Sequence, residues 1–329
     1  MVLQTYPIIA EAALAVLPPQ KRRVSRAEEA AAADRRLVIE QLKKISDEDL
    51  SAMPVEQARR LVARLYNLPL HSYDSSISFK SIEKKYPEET AALQRLHRSR
   101  QNFLSALLKL YRQKALRLAD LLRQQPEFLD CLRKITDREI PYTGELRLKV
   151  LQKMNRLLAE ACGVSLPGLQ VRRIRKKTSA GSVGGHYKCG KTEITVNKKR
   201  GGYNDPDLLL NDIVILLHEN CHHLQYCWGK NPPAAKEGTA IDVETRAILL
   251  GNYRLYFNAR HYPAAYFHNP IENDARFGAA LWMMQLAQVI NHSFWHLGAL
   301  MALDKAPPPE NKSVIEMIAK KLMERGLVK

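Results

Sequence analysis

Through the first part of the chain the apolar positions recur at the spacing of amphipathic helices. Residues 27–44 are rich in Ala, Glu, Arg and Leu, all good helix formers. Ser46-Asp47-Glu48-Asp49 is a helix-start pattern, and residues 54–66 continue the helical spacing. Residues 67–87 carry two prolines within a Ser/Tyr-rich run, which predicts a loop. A long helix follows over 88–124, ended by Pro126, with Leu93, Leu96, Phe103, Leu107, Leu110 and Leu118 near the 3.6-residue period. A stripe of this kind forms a core face, so the region reads as a helical scaffold; the competing reading is a surface that binds a partner.

The pattern changes after Pro141-Tyr142-Thr143-Gly144. A helix over 145–162 closes at Gly163, a helix-stopping position. Short β-type runs then occupy 169–175, 183–188 and 192–197, with Cys189-Gly190-Lys191 as a tight turn between the last two. After a Gly-rich loop at 201–204, Asp205-Pro206 opens a further helix, which Gly229 and Pro232-Pro233 end. Residues 279–301 are apolar but carry Gln285, Gln288, Asn291, His292 and His296, so they read as a buried helix and not as a membrane span. The fold class expected is α+β and predominantly helical: an α-helical accessory domain over 1–140, then a second domain over 141–329 with a small, mostly antiparallel sheet.

Bulk properties narrow the setting. The 46% hydrophobic and 26% charged fractions describe a globular chain. Its net charge of +17 divides as 29 − 20 = +9 up to residue 165 and 22 − 14 = +8 after it, so neither half is a basic tail. Such a charge favours acidic partners of any kind. Five scattered cysteines without a C-x-x-C pair fit a reducing compartment. The apolar run 8–17 is interrupted by Glu11 and preceded by no Lys or Arg, a poor signal peptide, so a cytoplasmic location is expected.

The candidate chemistry lies within the helix after Pro206. His218-Glu219-Asn220-Cys221-His222 matches H-E-x-x-H, which 10 His and 21 Glu in 329 residues would produce by chance about 0.02 times per chain. Residues four apart share a helix face, so His218 and His222 can offer two imidazoles to one ion, while Glu219, rotated about 100°, can serve as general base. A catalytic zinc needs a third protein ligand. Asn269-Pro270 starts a helix with Glu272 in its first turn, and Ala275 and Ala279 keep that face small; Asp274 points elsewhere. Glu244 is the other carboxylate available.

Together these features resemble the zincin metallopeptidases of gluzincin type. Glu272-x-Asp274-Ala275 is similar to the third-ligand helix of ImmA/IrrE-type and related phage- or mobile-element-associated peptidases. The resemblance covers roughly residues 144–300, although the 50-residue interval from His222 to Glu272 exceeds that of compact members. It implies a zincin-like domain holding one Zn2+ on His218, His222 and Glu272, with Glu219 as base. The activity implied is endopeptidase action on a protein substrate, a host protein should the chain be a delivered effector. Tyr266 and His268, and less so Tyr262 and His261, precede the third-ligand helix as transition-state donors. His292 and His296 repeat the i, i+4 spacing, as a second metal site or as support to the first. His223 points off the ligand face, and Cys221 is a small buried apolar residue.

In zincin-like folds an extended substrate adds to the strand nearest the metal. Ten Lys/Arg and one acid, Glu193, between residues 172 and 200 would then attract an acidic substrate, or else form a solvated edge that resists aggregation. The alternative to a peptidase is a non-catalytic basic helical protein that binds nucleic acid or an acidic protein, with an inert H-E-x-x-H. No aromatic-interleaved basic strand or DNA-reading helix supports it.

Overall fold

The computed structural model describes residues 26–67, 83–99, 105–174, 177–178, 181–182, 184–188, 191–197, 206–231, 241–254, 266, 269–292 and 294–303. The protein is α+β and predominantly helical. In chain order the helices are α1 (Arg26–Lys43), α2 (Asp47–Ala52), α3 (Val55–Tyr66), α4 (Pro87–Ser99), α5 (Ser105–Arg123), α6 (Pro126–Thr136) and α7 (Gly144–Cys162). Strands β1 (Gly168–Arg172), β2 (Lys177–Thr178), β3 (Gly181–Ser182), β4 (Gly185–Lys188) and β5 (Glu193–Asn197) follow. Then come α8 (Pro206–Lys230), α9 (Val243–Arg254), α10 (Pro270–Ile290) and α11 (Phe294–Leu303).

Local chemistry sets the boundaries. Thr143 caps α7 by accepting from Leu146 N–H, and Gly163, at φ +67°, takes the left-handed conformation that ends it. Asn269 caps α10 through its side chain and Pro270 occupies the first turn, where a missing N–H costs nothing. The apolar stretch 279–301 is two helices and not one: Asn291 turns into the left-handed region (φ 55°), its N–H bonds Ala287 O, and α11 starts afresh. The expected 88–124 helix is present as α4 and α5, and the join between them lies outside the described residues. Gly229 lies within α8, which runs on to Lys230.

The three-stranded sheet has the order β1-β5-β4 and is mixed. β4 and β5 form the expected antiparallel hairpin, Gly185 opposite Val196 and Lys188 opposite Glu193. β1, by contrast, runs parallel to β5, Gly168 beside Glu193 and Val171 beside Val196. Two strands hydrogen-bonded to the same neighbour need not share its direction, and the hairpin fixes only β4. Flanked on both sides, β5 buries Ile194, Thr195, Val196 and Asn197, while β4 is an outer strand of the sheet.

α8 is the axis of the molecule. It packs against α6, α7, α9, α10, α11 and strands β4 and β5, and is buried around nearly its whole circumference. Arg147 of α7 pins it to the sheet through paired bonds to Asp212 (2.6 and 2.8 Å) and a third to Asn197 O (2.9 Å); Tyr142 also donates to Asp212. Among the described residues no helix is long and apolar enough to cross a membrane.

Candidate metal centre

Two core helices bury many polar residues near their contact. Along α8 these include His222 and Gln225, which reach α10, and Glu219, Asn220 and His223, which turn to other neighbours; along the first turns of α10 they are Glu272, Asn273, Asp274 and Arg276. Buried polar groups need partners, so their clustering on facing segments marks a site. Small residues allow the approach: Ala275 and Ala279 are fully buried, and a Cβ on Gly278 would stand 2.7 Å from Cys221 Sγ.

His218, His222 and Glu272 converge there, and among the described residues they form a cluster able to hold a metal ion. The two Nε2 atoms are 3.1 Å apart. Glu272 Oε2 lies 3.4 Å from His218 Nε2, and its Oε1 lies 3.3 Å from His222 Nε2. Tetrahedral ligands at metal distances of about 2.0–2.1 Å stand about 3.3 Å apart, close to the separation of the two nitrogens and of each nitrogen from its nearer carboxylate oxygen. The two imidazole rings meet edge-on, their planes at 89° and their centroids 4.7 Å apart. Glu244, in the first turn of α9, is outside this group; of the two carboxylates, Glu272 reaches the histidines.

Electrostatics bind the triad. Burial pulls the His218 imidazole down to about 4. Burial acts the same way on His222, but the Glu272 carboxylate outweighs it and lifts that ring to about 9. Burial alone would raise Glu272; the His222 charge and hydrogen bonds from both rings hold it well below the usual carboxylate range.

Glu219 is buried beside the outer strand. Its carboxylate accepts the Tyr187 backbone N–H of β4, and its Oε1 would lie 3.2 Å from a Cβ on Gly185. That close approach is open only to glycine, because the same Cβ would meet Ile215 at 2.5 Å. Burial and the Glu272 charge push Glu219 up to about 7 against the pull of His222 and the Tyr187 N–H.

Tyr266 is at the centre: its phenol hydrogen-bonds Glu272, its ring lies 5.7 Å from the Arg276 guanidinium, and burial raises its pKa well above the usual tyrosine value. His268, His261 and Tyr262 lie outside the described residues. His223 faces away from the triad, bonding Ser165 O (2.8 Å) and the Tyr187 hydroxyl (3.0 Å), and so ties α8 to β4. His292 and His296 do not stack as a second ligand pair. His292 is in the turn after α10, 3.2 Å from Asp137, while His296 is buried in α11. Cys221 is fully buried against the α10 interface.

Spacing did not single out the residues behind the ligands. Gln225 Oε1 lies 3.0 Å from His222 Nδ1, and Gln225 Nε2 donates to Ile271 O (2.9 Å) and Asp274 (2.7 Å). Tyr111 of α5 donates to the same Asp274 oxygen at 2.6 Å, and Tyr253 donates to His222 O. Gln225, three residues after His222 on the same helix face, carried a usable signal. Tyr111, 163 residues from Asp274, carried none. Comparison of the chain with protein-family models, with curated proteins and with solved structures finds no match.

Proposed function

We propose that the protein is a zincin-type, zinc-dependent endopeptidase that hydrolyses peptide bonds of a protein substrate. His218, His222 and Glu272 hold the metal, and Glu219 is the general base. The observation carrying this reading is the convergence of two imidazole nitrogens, 3.1 Å apart, on the one Glu272 carboxylate, whose two oxygens lie 3.4 Å from His218 Nε2 and 3.3 Å from His222 Nε2. Two nitrogens and a carboxylate oxygen form the donor set of hydrolytic zinc sites, which keep a fourth position for water.

A zinc ion held by His218, His222 and Glu272 would supply Lewis acidity to a water and to the scissile carbonyl. Glu219, one residue beyond the first ligand and anchored by the Tyr187 N–H, orients that water and takes its proton. The same carboxyl then delivers the proton to the departing amine. Tyr266, hydrogen-bonded to Glu272, is close enough to the ligands to donate to a developing oxyanion.

β4 is an outer strand beside Glu219, so an extended substrate added to it would lay its backbone along the centre. Exposed Lys191 lies between β4 and β5 in the chain, and the net charge of +17 favours acidic substrates. The test is hydrolysis of an unfolded acidic protein with and without a zinc chelator. Cleavage should stop on chelation and return with added zinc; cleavage that continues under complete chelation overturns the proposal.

A further inference from the structure

We infer that Gln225, Asp274 and Tyr111 are positioning residues that fix His222 as a metal ligand, so that the α5 helix from the first part of the chain helps set zinc affinity. The inference rests on the proposed metal centre and concerns the support behind it.

The hydrogen bonds leave no freedom in assignment. Both amide protons of Gln225 are committed, one to the Ile271 carbonyl at 2.9 Å and one to the Asp274 carboxyl at 2.7 Å. Its Oε1 must therefore face His222 Nδ1, 3.0 Å away, and that nitrogen must carry a hydrogen. The ring atom left for a metal is Nε2, the one facing His218 and Glu272. Asp274 in turn is held at 2.6 Å by the hydroxyl of Tyr111, which is fully buried. A metal-bound imidazole is ordinarily oriented by an acceptor on its far nitrogen. Here a glutamine takes that position and passes the constraint to a carboxyl and a phenol on two other helices. Because Ile271 precedes Glu272, Gln225 also ties the second ligand to the third.

The test is zinc affinity by competition with a chromogenic chelator, alongside thermal unfolding of the zinc-free protein. Gln225→Met should weaken zinc binding about 10–100-fold, and Asp274→Ala should also weaken it. Asp274→Asn keeps an oxygen for both donors and should remain within a few-fold of wild type. Tyr111→Phe removes only the hydroxyl; it should weaken zinc binding by a smaller factor, and it decides the matter if Gln225→Met does not fold. Folded variants that lose thermal stability yet bind zinc as tightly as wild type overturn the inference while leaving the metal centre standing. A wild-type protein that binds no zinc overturns both.

Discussion

Glu219 lies between the outer strand and the His218, His222 and Glu272 cluster, and its substitution separates two roles that a single loss of activity would confuse. Its carboxylate accepts from Tyr187 N–H and is no member of the ligand cluster. Glu219→Gln keeps the size and the acceptor but removes the base. Metal content should be unchanged while the rate of peptide hydrolysis falls about 10²–10⁴-fold, the usual contribution of a positioned general base. A Glu219→Gln protein that cleaves at the wild-type rate would show that the proton goes elsewhere. The convergence of the two histidines was readable in the sequence because helix geometry alone stacks residues four apart. What favours Glu272 over Glu244 in the sequence is its helix start, its small-residue face and the family resemblance, since spacing alone cannot say which later helix will cross α8.

Small residues decide where α8 and α10 cross. A Cβ on Gly278 would meet Cys221 Sγ at 2.7 Å and the Tyr111 ring at 3.2 Å, inside a fully buried contact. Overpacking of this kind costs about 1–3 kcal/mol, against about 1 kcal/mol of helix propensity gained on leaving glycine. Gly278→Ala should therefore lower the urea midpoint, and Cys221→Ala in the same chain should recover part of the loss. A raised midpoint for Gly278→Ala alone would contradict the close-contact reading. Element type was legible wherever periodicity ran uninterrupted, as in α7 from Thr143 to Gly163. It failed where an apolar run concealed a turn, because Asn291 enters the left-handed region amid residues that otherwise continue a helix. Strand direction was equally hidden: a turn sequence announces a hairpin, but nothing local tells β1 to run parallel to β5.

At the scale of the whole molecule one hydrophobic core among the described residues runs from Val38 to Ala302, so helices from both ends of the described chain share it. Arg59 of α3 joins that arrangement from outside, reaching Asp242 at 2.7 Å and Thr245 at 2.8 Å ahead of and within α9. These contacts span more than 180 residues and leave no trace in local spacing. Charge, in contrast, is a property the sequence states outright. A net +17 should speed encounter with an acidic substrate, and that advantage should fade as the screening length drops from about 10 Å at 0.1 M salt to about 3 Å at 1 M. Cleavage of an acidic protein should therefore slow with added salt, and a rate indifferent to salt would remove the steering argument. The most direct measurement of the central claim is zinc content per chain in purified wild type, Glu219→Gln and His222→Ala proteins. About one zinc per chain is expected in the first two and a lost or greatly weakened zinc in the third; a wild type free of zinc after zinc loading, or a His222→Ala protein that keeps it, would contradict the account.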